Sequence, residues 1–249
     1  MVLGFSGSQL FGVGLAVIGM VVLAFSGRYV WRATGIYRAA AVSTLGETTP
    51  GTLVRISGTA QQGEADLLSA PFSGRDCLAL RYAVEERRLS PVLLPWFVTI
   101  HELAGSDTFR LRTSEADIDI VEPAHTVTLE RNIVATVPPS DDPPERIERF
   151  ERGAAAVPVT TYWREPPSLL QPITRLLSIG TRRYSEQRAT PGDDLTVVGR
   201  VTERRDGVNP LVVSDRPPRQ TFLRMTKTSL VGLCIGVFVV VLGLVLVLL

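Results

Sequence analysis

The sequence predicts a β-rich α+β soluble domain, a partly open barrel or a sandwich with two short helices, held between two transmembrane helices. Residues 1–27 and 228–249 contain no Asp, Glu, Lys or Arg. Short segments between them alternate apolar and polar side chains with a period of two, as half-buried strands do. We therefore expect a transmembrane helix over 9–31, a juxtamembrane helix or linker over 32–49, the soluble domain over 50–226 and a second transmembrane helix over 227–249.

The charges and cysteines set limits on the function of the domain. All 26 basic and 25 acidic residues lie within residues 28–227, and the formal net charge is only +1. No strongly basic surface results, so nucleic acid is not expected as a partner. Cys77 and Cys234 fall in different regions of the chain, which predicts no disulfide framework.

The first apolar run spans Leu10 to Phe25 and is followed by Tyr29 and Trp31, which suit a membrane interface. A cleaved signal peptide is the competing interpretation, with a weak small-residue site at residues 24–26. A signal peptide normally starts with a basic region, and no Lys or Arg precedes this run. We therefore favour a retained anchor.

The last apolar run, Ser229 to Leu249, is unbroken and meets the length of about 20 residues that a helix needs to cross a bilayer. Gly232 and Gly236 form a small-xxx-small pattern that lets two helices approach closely. Glycine is common in membrane helices, so the pattern leaves specific pairing open.

Basic residues flank both apolar runs on the side of the soluble domain. They are Arg28, Arg32 and Arg38 after the first run, and Arg216, Arg219, Arg224 and Lys227 before the second. Because Lys and Arg are enriched on the cytoplasmic side, this asymmetry predicts a cytoplasmic domain with both termini outside.

The soluble region begins and ends with predicted strands, and helices lie between them. After the Ala-rich residues 33–47, which can be helical, the alternation predicts strands near 52–60, 77–87, 96–103, 109–113, 117–120 and 126–129, and again at 184–189, 195–203 and 210–214. Between these groups, Asp142 as cap and Pro143 as first helical residue predict a polar helix over 145–152, ended by Gly153.

Two further features of the domain leave alternatives open. Residues 168–179 predict a second, apolar helix that Pro172 kinks or interrupts and that lies against the membrane or against the barrel. A faint repeat relates Pro50-Gly51, with Gly58 eight residues after the proline, to Pro191-Gly192 with Gly199. It indicates two related barrels, one fold whose two ends pair, or chance.

One motif carries a resemblance to a known family. Arg183-Tyr184-Ser185-Glu186 leads to a Pro191-Gly192-Asp193 turn and a valine-rich strand that ends at Gly199. With the order helix, β-rich domain, helix, this resembles the membrane domain of the MULAN/GIDE-type E3 ubiquitin ligases, also called the "beside a membrane" domain. The resemblance covers most of residues 50–225, and its motif positions here are Tyr184, Glu186, Pro191, Gly192, Asp193 and Gly199.

The resemblance implies an E3 ubiquitin ligase-type activity, but the sequence departs from the family at the decisive point. The family's ligases continue past the last membrane helix into a RING finger, which holds two zinc ions through eight Cys and His ligands. The present sequence ends at Leu249 within its helix and contains two Cys and two His in all. We expect no such activity from this sequence alone.

Other candidate residues have simpler interpretations. His101 and His125 are expected to be isolated, since Glu102 points to the opposite strand face from His101. Cys77 is expected to be a small buried apolar residue rather than a nucleophile. The pairs Asp141-Asp142 and Asp193-Asp194 are expected in a helix cap and a turn rather than at a metal. The sequence thus predicts no catalytic, cofactor-binding or metal-ligating residue and no cofactor.

Two function hypotheses follow. The first is a non-catalytic, membrane-anchored scaffold whose domain beside the bilayer binds a protein partner or a second copy of itself through a strand edge or loop. The second is a component of ubiquitin-like conjugation that needs a RING supplied by a partner. The lipid bilayer is an expected partner in both, and a sensor of membrane state is a third, weaker hypothesis.

Overall fold

A computed structural model describes residues 7–90, 94–154, 157–158, 160–203, 207–215 and 218–248. Side chains of residues 32–33, 35–37 and 216–229 lie outside this description, and they include most of the basic residues behind the predicted orientation. The chain forms two compact units: the terminal segments Met1–Ala39 with Pro217–Leu249, and the β-rich domain Ala40–Arg216. The predicted β-rich domain flanked by two apolar helices is confirmed.

The helices of the described residues are α1 (Gly7–Arg38), α2 (Glu145–Gly153), α3 (Gln171–Leu176) and α4 (Pro218–Leu248). The strands are β1 (Ala40–Ala41), β2 (Leu53–Gln62), β3 (Leu68–Ser69), β4 (Asp76–Cys77), β5 (Ala79–Leu89), β6 (Pro95–Ser106), β7 (Phe109–Arg112), β8 (Asp117–Ile120), β9 (Val127–Thr128), β10 (Arg131–Val137), β11 (Arg182–Ala189), β12 (Asp194–Val201) and β13 (Gly207–Ser214).

The terminal unit is a pair of antiparallel helices, α1 and α4. Residues 7–31 and 230–248 are each long and apolar enough to cross a membrane. A Cβ on Gly12 would lie 2.7 Å from the carbonyl oxygen of Gly243, and a Cβ on Gly19 would lie 2.8 Å from the backbone nitrogen of Val240. The two backbones therefore approach more closely than any larger side chain at these positions would allow.

Of the expected juxtamembrane helix or linker over 32–49, the helix extends only as far as Arg38. α1 ends at Arg38, and β1 then pairs in parallel with β2 through Ala40–Val54 and Ala41–Arg55. Alanine favours a helix, but here pairing with the edge of a sheet overrides this weak local preference. The β-rich unit therefore begins ten residues earlier than the Pro50-Gly51 turn suggested, at Ala40.

Five strands of the domain close into a barrel. β2 pairs with β12 through its first half and with β7 through its second half, and β7, β8, β13 and β12 complete the ring. Numbered along the chain, the barrel strands run 1-2-3-5-4 and return to 1, with the third and fifth parallel. This is the strand order of an OB-fold, here closed rather than partly open. A shared topology assigns no function.

The barrel interior is apolar because inward-facing positions alternate along each strand. Buried side chains come from all five strands and include Val54, Ile56, Phe109, Leu111, Ile118, Ile120, Leu195, Val197, Val208 and Val213.

A second, antiparallel sheet of four strands has the order β10-β11-β5-β6. Helix α2 covers one face of it, where Ile147 and Phe150 pack against the sheet residues Val84 and Tyr184. Ile147 and Phe150 are three residues apart and share one face of the helix. β10 was not predicted, because its exposed positions at the sheet edge show no clean alternation.

Two helix details differ from the prediction. Pro144, not Asp142, precedes α2 at the cap position and makes no side-chain cap hydrogen bond, so Pro143 is not the first helical residue. Pro172 does not interrupt a longer helix; it lies in the first turn of α3, where its missing N–H is tolerated.

The faint repeat corresponds to one fold whose two ends pair. β2 and β12, the strands that follow the two Pro-Gly turns, are antiparallel partners, with Gly58 opposite Leu195 and Gly199 opposite Val54. Gly51 N donates to Val201 O at 2.9 Å, and Gly192 N donates to Ala60 O at 2.8 Å. Each turn is therefore bonded to the far end of the other strand.

Candidate interaction site

The motif residues that carry the resemblance lie on β11 and β12, which are consecutive in the chain but belong to different sheets. Tyr184 and Glu186 are fully buried on one face of β11. Pro191, Gly192 and Asp193 form the turn between the strands, and Gly199 lies within the barrel wall. The motif therefore does not converge on one site.

Tyr184 belongs to a buried cluster of charged side chains between the four-stranded sheet and α2. Its hydroxyl donates to Glu151 Oε1 at 2.5 Å, and Arg182 Nη1 donates to the same oxygen at 2.5 Å. Arg182 Nε lies 3.4 Å from Glu86 Oε2, and Arg88 Nε donates to Glu86 Oε1 at 2.9 Å. Two arginines thus balance two glutamates.

Hydrogen bonds between charged side chains and neutral groups complete this cluster. Arg182 Nη2 donates to the carbonyl oxygen of Pro158 at 2.5 Å, and the Thr161 hydroxyl donates to Glu86 Oε2 at 2.9 Å. A buried charge is tolerated only when it is paired and hydrogen-bonded in this way. The cluster therefore joins α2, Pro158 and Thr161 to the sheet.

The titration behaviour agrees with a structural role. Burial raises the pKa of Tyr184, and its hydrogen bond to Glu151 adds to the rise. Burial lowers the pKa of Arg182, but the nearby charge of Glu151 and its hydrogen bond more than reverse this, so the net shift is upward. Both groups are held in their ordinary protonation states at neutral pH.

The carboxylate of Glu186 holds the loop at residues 72–73 by hydrogen bonds. Its Oε1 accepts hydrogen bonds from Phe72 N at 2.7 Å and Ser73 N at 3.0 Å, and its Oε2 accepts one from the Ser73 hydroxyl at 2.6 Å. Arg188 Nε lies 3.3 Å from Oε2 and balances the charge.

The turn residues act through the backbone. Gly192 has φ +96°, a conformation that favours glycine, and Asp193 Oδ2 accepts a hydrogen bond from Thr190 N at 2.7 Å. A Cβ on Gly199 would lie 2.3 Å from the carbonyl oxygen of Asn209, so β12 and β13 meet closely there.

The glycines considered for helix pairing lie on the side of α4 that meets α1. A Cβ on Gly236 would lie 2.9 Å from Leu23 Cγ, and one on Gly232 would lie 2.5 Å from the Ser26 hydroxyl oxygen. Both positions accept only a very small side chain without a shift of the helices.

The other titratable candidates are dispersed. His101 lies beside the rings of Tyr82 and Phe150, at centroid distances of 5.7 and 6.0 Å, and His125 is exposed. Glu102 is paired with Arg81. Burial raises the pKa of Cys77 to about 11, as expected for a small buried residue.

The acidic pairs also lie apart. Asp194 Oδ1 accepts a hydrogen bond from the Thr59 hydroxyl, and Asp141 accepts one from Ser140. Within the described part of the chain, no group of three or more His, Cys, Asp or Glu side chains is arranged to hold a metal ion.

The surface that suits an interaction is the outer edge of β6. This strand is 12 residues long and pairs with β5 on one side; no strand in the described ranges pairs with its other side. Leu103, on this edge strand, is 51% exposed. Unpaired N–H and C=O groups on such an edge can form hydrogen bonds with another strand.

Sequence reasoning missed Glu86, Glu151 and Arg182, because charged residues usually indicate exposure. The available signal was the period of two in a strand. Arg182, Tyr184 and Glu186 must share one face, so burial of Tyr184 implies that the other two side chains are buried as well. No family model, no curated protein and no solved structure matches this chain.

Proposed function

We propose that the chain is a membrane-anchored scaffold that is not catalytic by itself and binds a protein partner through the outer edge of β6. The single observation that carries the proposal is the length of that unpaired edge, 12 residues, which exceeds an ordinary strand of about 5–6 residues. An extended segment of a partner, or of a second copy, would add to the sheet as a further strand.

The side chains at the edge are consistent with such recognition. Thr99, Glu102 and Leu103 are exposed on β6, so both faces of the strand offer contacts to alternate side chains of an added strand. β6 also has a bulge at Ile100, where the register with β5 shifts. A bulge limits indiscriminate pairing of edges, which favours a selected partner over aggregation.

The apolar helices contribute by position. Tethering the domain to a bilayer would confine its partners to a thin layer and raise their effective concentration without any new contact. A cytoplasmic location of the domain, which the flanking arginines predict, belongs to the same proposal.

The test uses the full-length chain as bait in a detergent extract, with quantitative recovery of co-purifying proteins. Leu103→Lys adds to β6 the kind of charge that natural edge strands use to block pairing. Leu211→Lys, on barrel strand β13, is the matched control, since Leu211 is 44% exposed. We expect the first variant to lose a partner that the control keeps, and equal recovery from both would contradict the proposal.

The identity of the recovered protein separates the hypotheses. A second, differently tagged copy of the chain would identify self-association as the function of the edge. Recovery of ubiquitin-conjugating enzymes, together with a RING-bearing protein, would instead favour the conjugation component that the motif's resemblance implies.

A further inference from the structure

One end of the four-stranded sheet exposes large apolar side chains from two separate elements. β5 ends at Leu89 and β6 begins at Pro95, and the adjoining Leu94 and Trp96 are both exposed. The residues that follow α3 lie at the same end, because Gly180 N donates to Arg87 O and Arg87 N donates to Thr181 O, both at 2.8 Å. We call this surface the apolar end; it consists of Leu94, Trp96, Leu169, Leu170, Ile173 and Leu176.

The α3 segment contributes an apolar stripe to this surface. Ile173 and Leu176 are three residues apart in α3, which places them on one side of the helix, and Leu169 lies just before its cap residue Leu170. Leu169 is 89% exposed and Leu176 is 84% exposed, whereas Thr174 is buried. The helix therefore lies on the domain through its other side and turns leucines to the solvent.

The segment is firmly built into the domain. Gly180, with φ +81°, follows α3, and a Cβ there would lie 2.3 Å from the carbonyl oxygen of Trp163. Ile179 is buried beside it. The exposed leucines are therefore presented by a packed element, and burying them would need no rearrangement of the fold.

Basic side chains accompany the stripe. A cavity of about 720 Å³ beside α3 is lined by Arg164, Arg175 and Glu165, among others. Arg175 is exposed. Its guanidinium can therefore receive an anion such as a phosphate group.

We infer that the apolar end docks into the interfacial layer of a phospholipid bilayer. Leucines and Trp96 would reach the boundary between headgroups and acyl chains, while Arg175 would meet headgroup phosphates. Leucine, tryptophan and arginine in this arrangement are typical of segments that lie in a membrane interface.

A bilayer is the occupant that the chain itself favours. The apolar span of α1 ends at Trp31, nine residues before β1, and that of α4 begins at Leu230, sixteen residues after β13. Because the domain is joined at each end of its sequence to a helix apolar enough to cross a membrane, it is tethered to lipid. Even a weak apolar contact is then favoured by its high effective concentration. This inference does not depend on the protein partner proposed for the β6 edge.

The test is depth-dependent quenching in the full-length chain, reconstituted in vesicles of phosphatidylcholine and phosphatidylglycerol. Leu176→Cys carries an environment-sensitive fluorophore in a Cys234→Ala background, where Cys77 is buried. Leu211→Cys, on the barrel, is the matched control. Far-UV circular dichroism and thermal unfolding establish that both labelled chains fold like the parent.

Lipids brominated near the headgroup should reduce the emission at position 176 by at least about twofold relative to position 211. The inference would be overturned if aqueous iodide quenched the fluorophore at position 176, or if the lipids quenched the two positions equally. The apolar end would then be exposed to water and could bind a protein instead. Phosphatidylglycerol should increase the quenching at 176, and Arg175→Gln should remove that increase; no response to either would overturn the role of the arginine.

Discussion

The barrel and the four-stranded sheet solve the same problem, an interior without water, in opposite ways. The interior of the barrel is lined by apolar side chains such as Ile56, Leu111 and Val197. The sheet encloses Glu86, Arg182 and Glu186 at zero exposure. An apolar interior tolerates changes that conserve volume, whereas a charged one depends on the presence of each partner. The stability of the two regions should therefore respond to different substitutions.

The largest effect is expected from Arg182→Met, which keeps the bulk of the side chain and removes its charge. Glu151 would lose its only basic partner among the described side chains, so the free energy of unfolding should fall by about 3–5 kcal/mol. Denaturant unfolding of the full chain in detergent, followed by tryptophan fluorescence, measures this loss.

Arg200→Met is the control for that substitution. Arg200 lies on the exposed side of barrel strand β12 and donates to Gly51 O at 3.0 Å, so its removal should cost less than about 1 kcal/mol. Adding Glu151→Gln to Arg182→Met should recover part of the loss. Similar losses in the free energy of unfolding for Arg182→Met and Arg200→Met would mean that the buried charges stabilise the fold no more than a surface hydrogen bond does.

A smaller effect is expected in the barrel, where shape rather than charge is limiting. Gly199→Ala would place a methyl group 2.3 Å from the backbone of β13, and overpacking of this kind costs about 1–3 kcal/mol. Gly105→Ala on β6 is the control, because a Cβ there meets open space. The same measurement should show no loss in the free energy of unfolding for Gly105→Ala. If Gly199→Ala caused no loss either, close packing of β12 against β13 would not limit the stability of the barrel.

The smallest effect concerns Cys77, which packs with Ala70 and Leu80 near the charges of Glu186 and Arg188. Burial raises its pKa from 9.0 to about 11, so near pH 8 its alkylation should be about a hundredfold slower than that of an unperturbed thiol. Because the thiolate reacts, the rate should rise about tenfold per pH unit until pH 11 is approached.

This measurement needs the Cys234→Ala background and the exposed Leu211→Cys thiol as reference. Because the pKa of Cys77 is raised in the folded chain, its neutral thiol favours folding. This contribution to the stability is lost as the pH rises from about 9 to 11. Equal alkylation rates for Cys77 and the reference thiol would show that apolar packing does not extend to this position.

The sequence predicted the strands far better than it predicted the charged interior. Alternation is a local property, so β2, β7, β8 and β12 were visible within a few residues each. Arg182 finds Glu151 and Glu86 at 31 and 96 residues' distance in the chain, and no local pattern encodes such pairing. The face shared with Tyr184 was the one available hint.

Local rules also failed where tertiary contacts compete with them. Residues 39–42 have the composition of a helix but lie against β2, with Val42 N donating to Arg55 O at 3.0 Å. Asp142 suits a cap, yet the chain turns into α2 two residues later, at Pro144. For the apolar end, residues 168–179 were expected to form an apolar helix, and only Gln171–Leu176 do so. Which surface they form depends on the sheet to which Gly180 is bonded.

The barrel closes through strands from opposite ends of the domain, and this has a consequence for biosynthesis. The hydrogen bond between the hydroxyls of Ser57 and Thr196 joins residues 139 positions apart. At about 5–20 residues per second, a ribosome needs on the order of ten seconds to make the intervening chain. During that interval the edge of β2 that pairs with β12 has no partner strand, so the nascent chain should be a target for chaperones.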